Sequence, residues 1–237
     1  MNEELLASLC KDIGITLNTM QLNSFTIYFK ELLEWNQKFN LTAIEDEDEV
    51  IVKHFYDSLL GTHYSGWNGT GQLLDMGTGA GFPGIPLKIV NPELQVTLVD
   101  SLQKRIGFLK HLIDVLGLTG ISAVHSRAED LGQAPEHREK YTSVVSRAVA
   151  KMPVLCEFCL PLVKKEGVFM CYKGPEGMEE LKKAEKAIHI LGGKEKEILK
   201  RQLPLGGGER IIIVLEKRKR TPRDYPRKAG TPAKMPL

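Results

Sequence analysis

The chain has 237 residues, 42% apolar and 26% charged, which excludes a disordered chain, a collagen-like fibre and a disulfide miniprotein. Ile211–Leu215, the longest apolar run near the end, is far short of the ~20 residues that cross a bilayer. The start, Met1-Asn2-Glu3-Glu4, is acidic where a secretion signal is basic. Four cysteines in a chain of this length do not form a disulfide framework, so no membrane association is expected and cytoplasmic residence is. The net charge of +2 conceals an asymmetry: residues 1–50 hold ten acidic and three basic residues, residues 216–237 eight basic and two acidic.

Gly14 is placed to end a first helix carrying Leu5, Leu6 and Leu9. Leu22, Phe25, Phe29, Leu32, Asn36 and Phe39 then recur at alternating spacings of three and four, one buried face of an amphipathic helix. The acidic run Glu45–Glu49 before Val50 suits a helix N-terminus better than a metal site. From residue 71 the rhythm changes to short apolar runs, predicting strands at Gln72–Met76, Leu94–Asp100, Ile121–His125, Thr142–Ser146 and Val168–Lys173. Helices fall between them, such as Lys104–Leu116. This alternation predicts an α/β fold with a parallel sheet, its loops converging on one edge. After a helix near Glu176–Leu191, two strands flank Pro204-Leu205-Gly206-Gly207-Gly208, predicting a terminal antiparallel hairpin. The expected organisation is an N-terminal helical module (1–66), an α/β domain (67–216) and a basic tail with four prolines (217–237). The tail reads equally well as a phosphate-contacting arm or as a solvated end.

The most informative stretch is Leu73-Leu74-Asp75-Met76-Gly77-Thr78-Gly79-Ala80-Gly81-Phe82-Pro83-Gly84. A buried strand runs through a glycine loop into a helix, a place where backbone can turn sharply and approach a ligand. Gly79–Gly84 matches the G-x-G-x-x-G of dinucleotide sites, and Asp100 lies 21 residues beyond Gly79, near the ~20 expected for a ribose contact; this reading makes the protein an NAD-dependent oxidoreductase. The frame Asp75-x-Gly77-x-Gly79-x-Gly81, with Asp100 ending the next strand, suits S-adenosylmethionine. It accounts for more residues, and the terminal hairpin favours it.

The sequence resembles the bacterial small-subunit ribosomal RNA guanine-N7 methyltransferases, the glucose-inhibited division protein B family, over nearly its whole length. The likeness is carried by Asn40-Leu41-Thr42-Ala43-Ile44, His54 with Asp57-Ser58, the loop Asp75–Pro86, Val99-Asp100-Ser101, Lys104-Arg105 and Phe108-Leu109. It continues in Ser146-Arg147-Ala148-Val149, Tyr172-Lys173-Gly174 and Tyr225-Pro226-Arg227-Lys228-Ala229-Gly230. The resemblance implies a class I S-adenosylmethionine-dependent methyltransferase fold, Rossmann-like with a mostly parallel seven-stranded sheet and an N-terminal helical extension. It implies methylation of N7 of a guanine in 16S rRNA, alone or in the small ribosomal subunit. By carry-over, Gly77, Gly79 and Phe82 line the cofactor pocket, Asp100 holds the ribose, Ala128 and Glu129 flank the adenine, and Arg147 faces the methyl and the target base.

Guanine N7 carries a lone pair and no proton, so positioning, worth ~7–11 kcal/mol in well-oriented systems, replaces a general base or a nucleophile. The cofactor's positive charge passes to the base, so a guanidinium beside N7 would oppose transfer; Arg147 is expected on guanine O6, a phosphate or the cofactor carboxylate. Cys156 and Cys159 lie in an apolar helical stretch and read as core rather than as a nucleophile or zinc pair. The chain lacks the Asn/Asp-Pro-Pro-aromatic turn of exocyclic amine methylases after the fourth strand. His54 and Asp57, three apart, read as a hydrogen-bonded pair fixing the helical module to the sheet. Lys173, Arg223, Arg227 and Lys228 are the candidate phosphate contacts. A single-stranded or looped guanine is the expected target, because the A-form major groove hides N7. No metal is expected, and a monomer is.

Overall fold

The computed structural model describes residues 1–237. Its N-terminal part is helical. Helix α1 (Glu3–Asp12) is capped by the Asn2 side chain, and Gly14 turns the chain away at φ +73°. Helix α2 (Thr19–Phe39) starts in a capping box between Asn18 and Gln21 and ends at Asn40 in the left-handed conformation. It buries Phe25, Tyr28, Phe29, Leu32 and Asn36, the face set by the sequence spacing. The acidic run is a helix start: Asp46 caps α3 (Glu47–Val50) by accepting the Glu49 N–H. The helix continues as a π-helical turn (Ile51–Tyr56), then α4 (Asp57–Leu59) and a 3-10 turn (Leu60–His63). π-turns recur at functional sites, and this one carries His54 and leads into Asp57, the first residue of α4.

Seven strands follow: β1 (Gln72–Met76), β2 (Gln95–Asp100), β3 (Ile121–His125), β4 (Tyr141–Arg147), β5 (Val163–Lys173), β6 (Gly193–Leu203) and β7 (Gly208–Lys217). Helices α5 (Gly84–Val90), α6 (Gln103–Val115), α7 (Ala128–Gln133), α8 (Met152–Cys159) and α9 (Gly177–Ile190) separate the first six, and α10 (Thr231–Lys234) lies in the tail. The sheet order is β3-β2-β1-β4-β5-β7-β6. Strands β1 to β5 run parallel, and β7 enters antiparallel between β5 and β6. The predicted hairpin is therefore present. One strand starts earlier than expected: β5 opens at Val163 rather than Val168, because the polar stretch Lys164-Lys165-Glu166 interrupts the apolar pattern while still pairing near β4 across a register shift.

Strand residues alternate between two cores. Leu73 joins α1, α2, α5 and α6 in a cluster of 37 buried residues, whereas Leu74 and Met76 join α7, α8 and α9 in one of 23. The N-terminal helices thus share one continuous core with a face of the sheet. The tail is not a free arm. Arg138 donates to the carbonyls of Thr221, Pro222 and Tyr225, and Gln133 to those of Arg223 and Pro226, so side chains of α7 and the turn after it pin its backbone. No helix is long and apolar enough to cross a membrane.

Candidate functional site

The strand order reverses between β1 and β4, so the loops leaving their carboxyl ends diverge and open a crevice, the usual ligand position in such sheets. The glycine loop forms one wall. Gly77 and Thr78 donate their N–H groups to Val99 O at 2.8 and 3.0 Å, tying the loop to β2. Gly77, Gly79 and Gly81 have φ of +69°, +62° and +104°, which side-chain-bearing residues avoid. A Cβ at Gly77 would run into Val149 of the loop after β4, whereas one at Gly79 would meet nothing within 4 Å. The backbone at Gly79 therefore lies open to a ligand. Ser146 Oγ donates to Met76 O at 2.8 Å and locks the ends of β1 and β4 side by side.

Asp75, next to last in β1, is fully buried. Its Oδ2 accepts from Thr78 Oγ1 (2.6 Å) and Gly84 N (2.8 Å), closing the loop on the first turn of α5. Its Oδ1 has no partner. Burial raises its pKa from 3.8 to about 6 against the lowering effect of those two hydrogen bonds. Asp100 ends β2 and is 3% exposed. It accepts from Gly79 N (3.0 Å), Arg105 Nη1 (3.1 Å) and Leu102 N (2.9 Å). A carboxylate offers about four lone-pair sites, so one remains for a ribose hydroxyl.

Phe82 is 5% exposed. Its ring stacks on Tyr28 (5.1 Å) and His54 (4.6 Å), beneath the Arg147 guanidinium at 5.1 Å. The glycine loop is therefore seated on the helical module, a seat completed by Tyr28 Oη donating to Ala80 O at 2.6 Å. Arg147, the last residue of β4, reaches the same module: it donates to Asp57 Oδ2 (2.7 Å) and Lys53 O (2.9 Å), and its Nη2 lies 3.3 Å from His54 Nδ1. Asp57 is fully buried and takes a second guanidinium, Arg210 of β7, on Oδ1 at 2.5 Å. The expected His54–Asp57 hydrogen bond is absent: both arginines compete for the same carboxylate and win it by charge, while His54 Nε2 pairs with Thr42 Oγ1 at 2.8 Å. Burial first, then the Arg147 charge, lower the His54 pKa to about 3, so the ring is neutral.

Ala128 and Glu129 open α7 directly beyond β3, and Glu129 Oε1 accepts the Gly230 N–H at 2.9 Å. Two residues expected on RNA phosphate point inward. Lys173 is 9% exposed, donates to Ala150 O and pairs with Glu180 at 2.8 Å. Arg227 is held by Glu157. Arg223 and Lys228 are exposed, with no side-chain partner. All four cysteines are free and buried; burial raises Cys156 and Cys159 well above the usual thiol value and Cys171 to about 12. Tyr28, Arg210 and Glu157 were not legible as site residues, because each acts through a partner distant in sequence.

A glycine loop pinned by an acid at β1, an acid at the end of β2 and an antiparallel seventh strand define a class I S-adenosylmethionine-dependent methyltransferase. Solved structures share this fold: M. jannaschii TYW2, solved with AdoMet, aligns with 74% of this chain and 79% of its own at a TM-score of 0.55 and 17% identity. Bacillus subtilis YcgJ aligns with 70% of this chain and 100% of its own at 0.54 and 13% identity. The sequence model of the family described as rRNA small subunit methyltransferase G matches residues 21–205. Proteins of that name from Oceanobacillus iheyensis and Staphylococcus epidermidis are 50% and 52% identical over 237 residues, covering 100% of this chain and 100% and 99% of theirs. The chain belongs to the rRNA small subunit methyltransferase G family. The NAD-dependent oxidoreductase reading is thereby overturned; in a dinucleotide fold the sixth strand lies beside the fifth, and here an antiparallel seventh strand is inserted between them.

Proposed function

We propose that the protein transfers a methyl group from S-adenosylmethionine to N7 of a guanine in 16S rRNA. The observation that carries this reading is a site whose two acids, Asp75 and Asp100, are engaged by the glycine loop, and whose histidine and cysteines are unsuited to removing a proton or attacking a base. His54 is neutral, its pKa lowered to about 3, and the Cys156 and Cys159 thiols are buried and raised. A ring nitrogen with a free lone pair needs neither.

The residues fit the cofactor. The partnerless Asp75 Oδ1 is an acceptor awaiting a donor such as an ammonium, the open Gly79 backbone admits close approach, and Asp100 has one lone-pair site left. Gly77 and Phe82 shape the loop, with Ala128 and Glu129 on the adenine side. When bound, S-adenosylmethionine supplies an electrophilic methyl on a sulfonium. Arg147 contributes position: Asp57 and Lys53 O take both hydrogens of its Nη1, which leaves Nη2 for guanine O6 or a phosphate. Arg223 and Lys228, with Arg127 and Lys151 exposed after β3 and β4, are the cations free to meet the RNA backbone.

The test supplies labelled methyl donor with 16S rRNA and with small subunits from cells lacking this protein, then maps the labelled atom by mass spectrometry. Label on guanine N7 supports the reading. Label on an exocyclic amine or a pyrimidine carbon, or no label on either substrate, overturns it.

A further inference from the structure

Glu157 is a buried acid that methyl transfer does not use. It projects from α8 with its side chain 1% exposed and receives three donors from one residue of the tail: Arg227 N at 2.7 Å, Nε at 2.9 Å and Nη2 at 2.6 Å. A buried carboxylate stripped of such a partner is strongly unfavourable, so this pair holds the tail down. What the tail covers is α7, a helix of six residues. So short a helix leaves most of its backbone groups unpaired and does not persist alone. The tail supports it from outside. Gln133 Nε2 bonds Pro226 O at 2.8 Å, Arg138 Nη1 bridges Gly132 O (2.8 Å) and Tyr225 O (2.7 Å), and a Cβ at Gly132 would lie 2.6 Å from Pro226. At the far end of α7, Gly230 N–H fixes the Glu129 carboxylate.

We propose that residues 218–237 are a strap that builds the adenine-side wall of the cofactor pocket, with Arg227 and Glu157 as its latch: positioning residues for the cofactor and not contacts to RNA. This rests on the assignment of Ala128 and Glu129 to the adenine side under the proposed function. Binding is reciprocal, so the latch tightens the cofactor site and a filled site holds the strap.

The test uses the full chain as wild type, Glu157→Gln, Arg227→Ala, Arg227→Lys and the exposed, milder Gln133→Ala. Three quantities are measured: calorimetric affinity for S-adenosylhomocysteine, amide exchange over residues 128–133 and 225–231, and the salt dependence of RNA binding. The expected result is a roughly tenfold loss of affinity in Glu157→Gln and Arg227→Ala, within the usual range of coupling. Arg227→Lys recovers part of it, and Gln133→Ala shows a smaller loss. Exchange over both segments quickens in the variants and slows when wild type is saturated, while the RNA salt slope is unchanged. Nucleoside affinity within twofold of wild type, despite faster exchange, overturns the proposal. A salt slope reduced by about one with intact nucleoside affinity also overturns it and returns Arg227 to a phosphate. Should Arg227→Ala not fold, Gln133→Ala and Arg227→Lys decide on the same readouts. Wild type that does not bind the nucleoside refutes the methyltransferase assignment itself, and the strap falls with it.

Discussion

Asp75→Asn separates stability from function. The carboxyl is fully buried, and its folded-state pKa is raised from 3.8 to about 6. Ionising it in the fold is therefore harder than in the unfolded chain. The penalty is absent below the unfolded value, grows between the two, and is complete above the folded one. A shift of roughly two units at ~1.4 kcal/mol each amounts to about 3 kcal/mol at pH 7.5. Asparagine keeps an oxygen for Thr78 Oγ1 and Gly84 N and places a neutral amide where Oδ1 has no partner. Urea unfolding without cofactor should show the variant gaining on wild type by about 2 kcal/mol between pH 4.5 and pH 7.5, on top of a pH-independent cost for amide hydrogens left without an acceptor. His54, which loses stability as pH falls below 6.5 because its folded pKa is depressed to about 3, is common to both proteins and cancels in the difference. The same variant should bind cofactor weakly, because an amide N–H₂ faces the donor that Asp75 is proposed to accept. A stability difference that ignores pH refutes the reasoning.

Other substitutions probe the remaining groups. Arg147→Ala should lower methyl transfer by ~10²-fold or more through lost positioning, with the fold retained; Asp57→Asn, which keeps the shape but loosens the guanidinium, should lower kcat more than KM, and unchanged turnover in both would remove Arg147 from the site. The pH profile of kcat/KM should carry no inflection that belongs to His54, which stays neutral far below pH 6.5; an inflection abolished by His54→Asn would reveal a proton transfer at this residue. Iodoacetamide should label none of the four buried cysteines in the native protein and all four in urea, which mass spectrometry reads directly. Replacing Arg223 and Lys228 together by alanine should flatten the log–log salt dependence of RNA binding by about two contacts' worth, ~1.4–1.8 in slope, and an unaltered slope would clear both of phosphate contact.

The strands and the glycine loop were legible because each rests on a local signal. Leu73 and Leu74 sit in an apolar run that ends in glycines whose φ is positive, and Ile106, Leu109, Leu112 and Ile113 repeat with the helix period. The acids near the ends of β1 and β2 were legible for the same reason. What local pattern does not carry is the choice among partners. His54 and Asp57 stand three apart and invite pairing, but Asp57 is taken by Arg147 and Arg210, 90 and 153 positions away. Arg227 looks like an exposed cation in a proline-rich tail, and Glu157 looks like one polar interruption of an apolar helix. Only the fold brings them to 2.6 Å.

The pairing at Asp57 bears on how charge is managed. The sulfonium carries one positive charge into the reaction and the methylated guanine carries one out, so no new charge has to be stabilised, and a free guanidinium against N7 would only raise the barrier. The chain places two arginines nearby and puts one buried carboxylate between them. The trio retains a single positive charge, enough to attract an RNA phosphate, while Arg147 is drawn toward the helical module and over the face of Phe82. Phe82 in turn rests on Tyr28 and His54. Loop position, arginine position and local charge are therefore set by the same N-terminal helices, and these helices bury their apolar faces in the same core as β1, α5 and α6. Under the proposed function, a site that works by placement alone requires its reference points to be rigid, which gives the N-terminal helices a part in the catalytic geometry.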